Sequence, residues 1–221
     1  MKLYDYVLSA SCYKIRLMAA LLGVKLDLVA VDFHPGREHR ALAFRNLNPA
    51  GTLPVLVDGD LMLTESTAML VYLAQASGRA WLGDSTPARA AKVQNWLAFS
   101  ARLGASLGMA RLHDMLIYPG DIDAFRRAGV ECLRELEAHM TEARFAGRIF
   151  LEGDAPTIAD IACFPNVALA PDGGVTLDDY PAIRLWSRAL RALPGFIEMP
   201  GIHRLHELKP APEAVPALED L

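Results

Sequence analysis

Two short stretches of the sequence carry the side chains best suited to chemistry. Ser9-Ala10-Ser11-Cys12 ends an apolar run that begins at Lys2 and precedes a helical pattern reaching Leu22, so it reads as the turn into a helix. At a helix N-terminus, hydroxyls, free backbone amides and the helix dipole all favour a negative charge. Ser9, Ser11 and Cys12 compete for the role of donor or nucleophile there. The second stretch, Asn48-Pro-Ala-Gly-Thr-Leu53-Pro54-Val55-Leu-Val, puts proline at the first residue of a strand, where its missing amide hydrogen does not break a central ladder.

The elements that must position these residues follow from local patterns. Lys2 to Leu8 reads as a strand, Tyr13 to Leu22 as a helix closed by Gly23, and Leu26 to Val31 as a second strand. A polar loop, His34-Pro-Gly-Arg-Glu-His39-Arg, leads to a short helical stretch at 41–45. Val55-Leu-Val and Leu61-Met-Leu flank Asp58-Gly-Asp, a strong hairpin signal, and a helix starts at Thr64 or Glu65 and reaches about Ala76. Tyr4 and Tyr6 fall inside the first expected strand and read as core or sheet-face residues. Residues 1–78 therefore form an α/β unit, 79–87 a linker, and 88–221 a second unit.

Beyond the linker, strand signals nearly vanish. Helical patterns run from Pro87 to about Leu107, Asp121 to Arg144, Thr157 to Leu169, and Pro181 to Leu193, which predicts a helix bundle. Thr157 and Asp160 are spaced to satisfy the opening amides of one buried helix, a structural role. The stretch Leu103-Gly-Ala-Ser-Leu-Gly-Met109 is interrupted by glycine and unlike a plain amphipathic helix. The segment from Lys209 to Pro216 is proline-rich and cannot continue a helix.

Taken with these motifs, the first 78 residues resemble the glutathione-binding half of the cytosolic glutathione transferases. The resemblance rests on Asn48-Pro…Leu53-Pro54-Val55-Leu-Val, Asp58-Gly and Glu65-Ser66. It implies a thioredoxin-like α/β N-terminal domain followed by an all-α helical-bundle C-terminal domain. It also implies glutathione as co-substrate, a cis bond before Pro54, and a glutathione site made by His39, Leu53, Pro54, Val55, Glu65 and Ser66. In that reading Val55 offers its backbone to the cysteinyl part and Glu65-Ser66 hold the γ-glutamyl end. His39 lies where related transferases contact the glycyl end.

On the same comparison Ser9 matches the catalytic serine of the serine-type classes, and Ser11 the place where beta-type bacterial enzymes carry cysteine. Cys12 is placed for a mixed disulfide. A free thiol ionises near pH 8.5 and reacts as the thiolate, so a donor aimed at sulfur is what the site needs. The resemblance further implies an apolar second-substrate wall from Met109, Arg111, Leu112 and Tyr118, with Arg111 able to steady an anionic group, and a homodimer.

Composition narrows the alternatives. Twenty-two basic against 26 acidic residues, a formal charge of −4, leave no electrostatic footprint for nucleic acid or an anionic membrane. No apolar run reaches the roughly 20 residues that span a bilayer. Three widely spaced cysteines, Cys12, Cys132 and Cys163, and six scattered histidines predict neither a disulfide framework nor a metal site. The expectation is a cytoplasmic enzyme acting on an apolar electrophile, with two alternatives: a redox enzyme using Cys12, and a noncatalytic protein that keeps the fold.

Overall fold

The computed structural model describes residues 1–83 and 86–199. The proline-rich stretch at 209–216, His203, His206 and the middle of the expected linker lie outside the described residues. Four strands form one mixed sheet in the order β2-β1-β3-β4: β1 Lys2–Asp5, β2 Asp27–Ala30, β3 Val55–Asp58 and β4 Leu61–Leu63. β1 runs parallel to β2 and antiparallel to β3, placing Leu3 opposite both Leu28 and Leu56.

The period-two alternation of the strands separates two apolar clusters. Leu3 and Leu56 face one side, where they pack with Tyr13, Ile15 and Met18 of α1 (Ala10–Leu22) and Met69, Leu70 and Leu73 of α3 (Ser66–Ser77). Tyr4 and Val55 face the other side and meet Phe44 of α2 (Leu42–Leu47). This is the thioredoxin-like α/β arrangement that the resemblance implies.

Two boundaries differ from expectation, for one shared reason. β1 stops at Asp5 rather than Leu8, and α1 starts at Ala10 rather than Tyr13. The hydroxyl of Ser9 accepts from the Cys12 amide at 3.2 Å, so Ser9 is the cap. A turn closed by the Ser9 amide on the Tyr6 carbonyl then takes Tyr6, Val7 and Leu8 out of the sheet. At the far end of α1, Gly23 adopts the left-handed conformation (φ 66°) that stops the helix.

The remainder is helical: α4 Pro87–Leu103, α5 Met109–Leu116, α6 Ile122–Phe145, α7 Ile158–Ala168 and α8 Pro181–Arg191. The glycine-interrupted stretch is a π-helical turn at Gly104–Gly108, so the single helix expected from Pro87 to Leu107 divides there. The turn is closely packed. Leu107 lies against Gly129 of α6, where an added Cβ would come within 2.4 Å of the leucine side chain.

α7 is buried at all 11 of its residues. Thr157 and Asp160 form the expected capping box, and Asp160 also accepts from the Leu151 amide and from Trp186 Nε1. One continuous apolar core runs from Leu3 through α1 and α7 to Trp186. No helix among the described residues is long and apolar enough to cross a membrane.

Candidate active site

The N-termini of α1 and α3 open on a cavity of about 440 Å³ that α4, α5 and α7 close from the helical side. Ser9, Ser11, Thr52, Leu53, Glu65 and Ser66 line it from the α/β half. The Ser9 oxygen accepts the Cys12 amide, and its hydroxyl, a donor as well as an acceptor, stands at the cavity wall. Glu65 caps α3 in extended conformation, so Ser66 and Thr67 present first-turn amides beside a carboxylate. One helix terminus thus offers donors for a negative sulfur, and the other offers donors and an acceptor for a group carrying both charges.

The loop between them is built by Asn48. Its amide nitrogen donates to the Thr52 carbonyl and hydroxyl (2.9 and 3.0 Å), and its oxygen accepts the Ala50 amide. Gly51 has φ 60°, and a Cβ there would sit 2.8 Å from the His39 carbonyl, so only glycine fits. The Leu53–Pro54 bond is cis, as the resemblance implies, and so is His34–Pro35.

Comparison with known proteins gives this geometry its context. Residues 1–75 match the family described as glutathione S-transferase, N-terminal domain. Glutathione S-transferase 2 of Anopheles gambiae is 33% identical over 80% of this chain and 84% of its own length. A maleylacetoacetate isomerase of Pseudomonas aeruginosa is 30% identical over 89% and 93%. The crystal structure of a glutathione S-transferase from Pseudomonas fluorescens superposes with a TM-score of 0.79 at 29% identity, covering 90% of this chain and 98% of that one.

The chain belongs to the glutathione S-transferase family.

In this transferase the three residues competing at the first turn do not share one environment. Ser9 and Ser11 face the cavity, whereas Cys12 is wholly buried. The Cys12 sulfur accepts the Tyr6 amide at 3.5 Å, and burial pushes its thiol up to about 12, the opposite of what a reactive cysteine needs. Pro54 and Val55 lie buried behind Leu53, with the Val55 side chain against Phe44 and Val31.

His39 departs from the polar, solvated setting its loop suggested. It is buried in a 3₁₀ turn at Glu38–Arg40, and burial, reinforced by Arg40 and Arg37, lowers its pKa. Its ring stacks on Phe33 at 4.1 Å, and Phe33, with Arg40, reaches the cavity wall instead. Phe33 also lies near Tyr6 (5.3 Å) and Tyr118 (6.3 Å), so three aromatic rings from separate segments make one apolar wall. Tyr6, expected in the strand, belongs to this wall because β1 ends one residue before it. Only an aromatic residue following a polar-to-aliphatic strand hinted at that role in the sequence.

On α5 the expected wall shifts by register. Gly108, Arg111, Leu112, Met115 and Leu116 follow the spacing of one helix face and line the cavity. Met109, one position out of phase, does not. Arg111 lines the cavity as expected, but its charge is already engaged: Nε bonds to Asp172 at 3.0 Å and Nη1 to the Leu8 carbonyl at 2.8 Å. It clamps the turn before Ser9 to the bundle, and only Nη2 is left without a partner.

Proposed function

We propose that this transferase holds glutathione across the N-termini of α1 and α3 and activates its thiol with the Ser9 hydroxyl. The single observation carrying this reading is that Ser9 caps α1 at the cavity wall, its oxygen accepting the Cys12 amide. A proton donated to sulfur stabilises the thiolate over the thiol and lowers the sulfur pKa from its ordinary value near 8.5. The thiol proton leaves through the open side of the cavity. The thiolate then forms a bond to an electrophilic carbon, with loss of a leaving group or with addition across a conjugated double bond. Reversal of that addition after rotation is isomerisation, and likeness to a maleylacetoacetate isomerase supports keeping both outcomes.

Glu65 and Ser66 would hold the γ-glutamyl end, and Leu53, with Val55 behind it, the cysteinyl part. Phe33, Leu112, Met115 and Tyr118 form the apolar side on which the electrophile rests. His39 acts through Phe33 rather than by touching substrate. Residues 1–78 and 88–221 are proposed as the two domains, and a homodimer as the assembly, on family grounds. The redox alternative is disfavoured because Cys12 is sealed from the cavity and its thiol is held protonated.

The deciding experiment follows thiolate ultraviolet absorbance against pH for bound glutathione in wild type, Ser9→Ala and Ser11→Ala. A bound thiol pKa well below 8.5 that returns toward it in Ser9→Ala alone supports the assignment. Binding without any such shift would sink it.

A further inference from the structure

The cavity carries a second polar feature that thiol activation leaves unused. Lys14 stands on α1 three residues after Ser11, on the same helix face, and lines the cavity while only 4% exposed. Asn166 of α7, 6% exposed, and Ser100 of α4, 1% exposed, line it as well. Burial of this degree is rare for lysine without a partner. α1 and α4 both pack on α7, so these three side chains mark the deep side of the cavity, opposite the exposed Glu65 and Thr52.

The acidic groups on α7 and on the turn that follows it are already committed. On α7, Asp160 receives the Leu151 and Thr157 amides, the Thr157 hydroxyl and Trp186 Nε1. Asp172 is bound by Arg111. The only titratable neighbour that favours a charged Lys14 is the Cys163 thiol, which burial itself pushes upward and so keeps un-ionised. Among the described residues no carboxylate pairs with this ammonium.

Asn166 completes a donor pair. Its amide sits against the two glycines of the π-helical turn: a Cβ at Gly108 would lie 3.2 Å from its Oδ1, and one at Gly104 would lie 3.8 Å from its Nδ2. Those glycines keep the amide open to the cavity. Ser100 spends its proton on the Leu97 carbonyl at 2.7 Å and therefore offers only an acceptor. An ammonium and an amide N–H₂, in a cavity otherwise mostly aliphatic and aromatic on this side, match a single-charged planar anion better than a phosphate dianion.

We infer that Lys14 and Asn166 form a carboxylate-receiving subsite at the deep side of the cavity, so that the second substrate of this transferase is an apolar electrophile carrying a carboxylate. The inference rests on the transferase reading above for the word substrate, while the subsite itself can be tested without turnover. Calorimetric titration with unreactive 4-phenylbutanoate and with 4-phenylbutan-1-ol, in wild type, Lys14→Met and Asn166→Ala, separates charge recognition from apolar fit. The carboxylate is expected to bind wild type at least about tenfold more tightly than the alcohol, and Lys14→Met to abolish that preference while leaving the alcohol unchanged. Asn166→Ala, on a different helix, should lose about threefold or more for the carboxylate only, and it decides the matter should Lys14→Met fail to fold.

Equal affinity of wild type for the two probes, or equal loss for both in the variants, would overturn the subsite. A parallel titration with glutathione distinguishes the source of the carboxylate. Unchanged glutathione affinity in Lys14→Met assigns the subsite to the second substrate, and a fall of tenfold would instead assign Lys14 to glutathione and overturn the inference. Absence of glutathione binding in wild type would defeat the transferase reading while the two phenylbutyl probes still judge the subsite.

Discussion

Ser9 and Thr157 cap α1 and α7 with the same device, a hydroxyl accepting an amide of the first turn at 3.2 and 3.3 Å. At α7 the device is closed: Asp160 answers with its carboxylate, Trp186 and Leu151 add donors to it, and every group is buried. At α1 no acidic residue occupies the first turn, and the capping serine lines a cavity. The two buried charges repeat the contrast. Asp160 has four donors, whereas Lys14 has no carboxylate. A capped helix end stabilises when its hydrogen bonds are completed from within, and it is available for chemistry when they are left to a ligand.

The largest effect expected from breaking this comparison is at the closed end. Asp160→Ala would strand the Leu151 and Thr157 amides and the Trp186 indole, at a cost of about 4 kcal/mol, lowering Tm by roughly 10 °C. Thermal unfolding checks this, and a loss below about 1 kcal/mol would contradict the description of α7 as the anchored helix. Ser9→Ala should behave in the opposite sense. Stability falls by only about 1 kcal/mol, as for an ordinary cap, while kcat falls about 10²-fold or more. Turnover and unfolding measured on one preparation would separate the two, and a variant losing stability but not rate would make Ser9 a plain cap.

Lys14→Met should raise stability. Burial lowers the lysine pKa from 10.5 to about 8, so the unfolded chain holds the proton more tightly. The penalty is present in full below pH 8, amounting to up to about 3 kcal/mol, and is relieved as pH rises toward 10.5. The gap between variant and wild type should therefore narrow over that interval, and a gap independent of pH would show that desolvation is not its cause. The smallest effect belongs to Cys12. Cys12→Ala should change turnover by less than about twofold, and native protein should resist alkylation at Cys12 because the thiol is buried and held near 12. Rapid labelling of Cys12 in the folded protein would reopen the redox reading.

Much of the architecture was legible from local pattern alone. Gly23, the Asp58-Gly59 hairpin and the Thr157-Asp160 box marked their elements because each rests on contacts within a few residues. The site was legible in part. Ser9, Ser11, Leu53, Glu65 and Ser66 reach one cavity, as their motifs suggested, and Arg111, Leu112 and Tyr118 reach it from the bundle. Phe33 went unread and Tyr6 was read as a core or sheet-face residue, because an aromatic residue near a strand end looks the same whether it turns inward or lines a wall. Met109, expected in the wall from the resemblance, stands off the helix face that carries Gly108, Arg111, Leu112 and Met115 into the cavity.

The sequence by itself determined the helix caps, the strand alternation, the proline-led strand and the change from α/β to helical composition, since these depend on backbone geometry and side-chain period. Tertiary structure alone decided which donors would be left open. That Cys12 is sealed while Ser9 is not, and that Lys14 and Asn166 line one cavity with no carboxylate on the ammonium, follow from the packing of α1 against α7, and that Arg111 is consumed by Asp172 follows from the packing of α5 on the turn after α7. The physical reason is desolvation: a polar group's behaviour is set by which neighbours replace its water, and those neighbours lie far away along the chain.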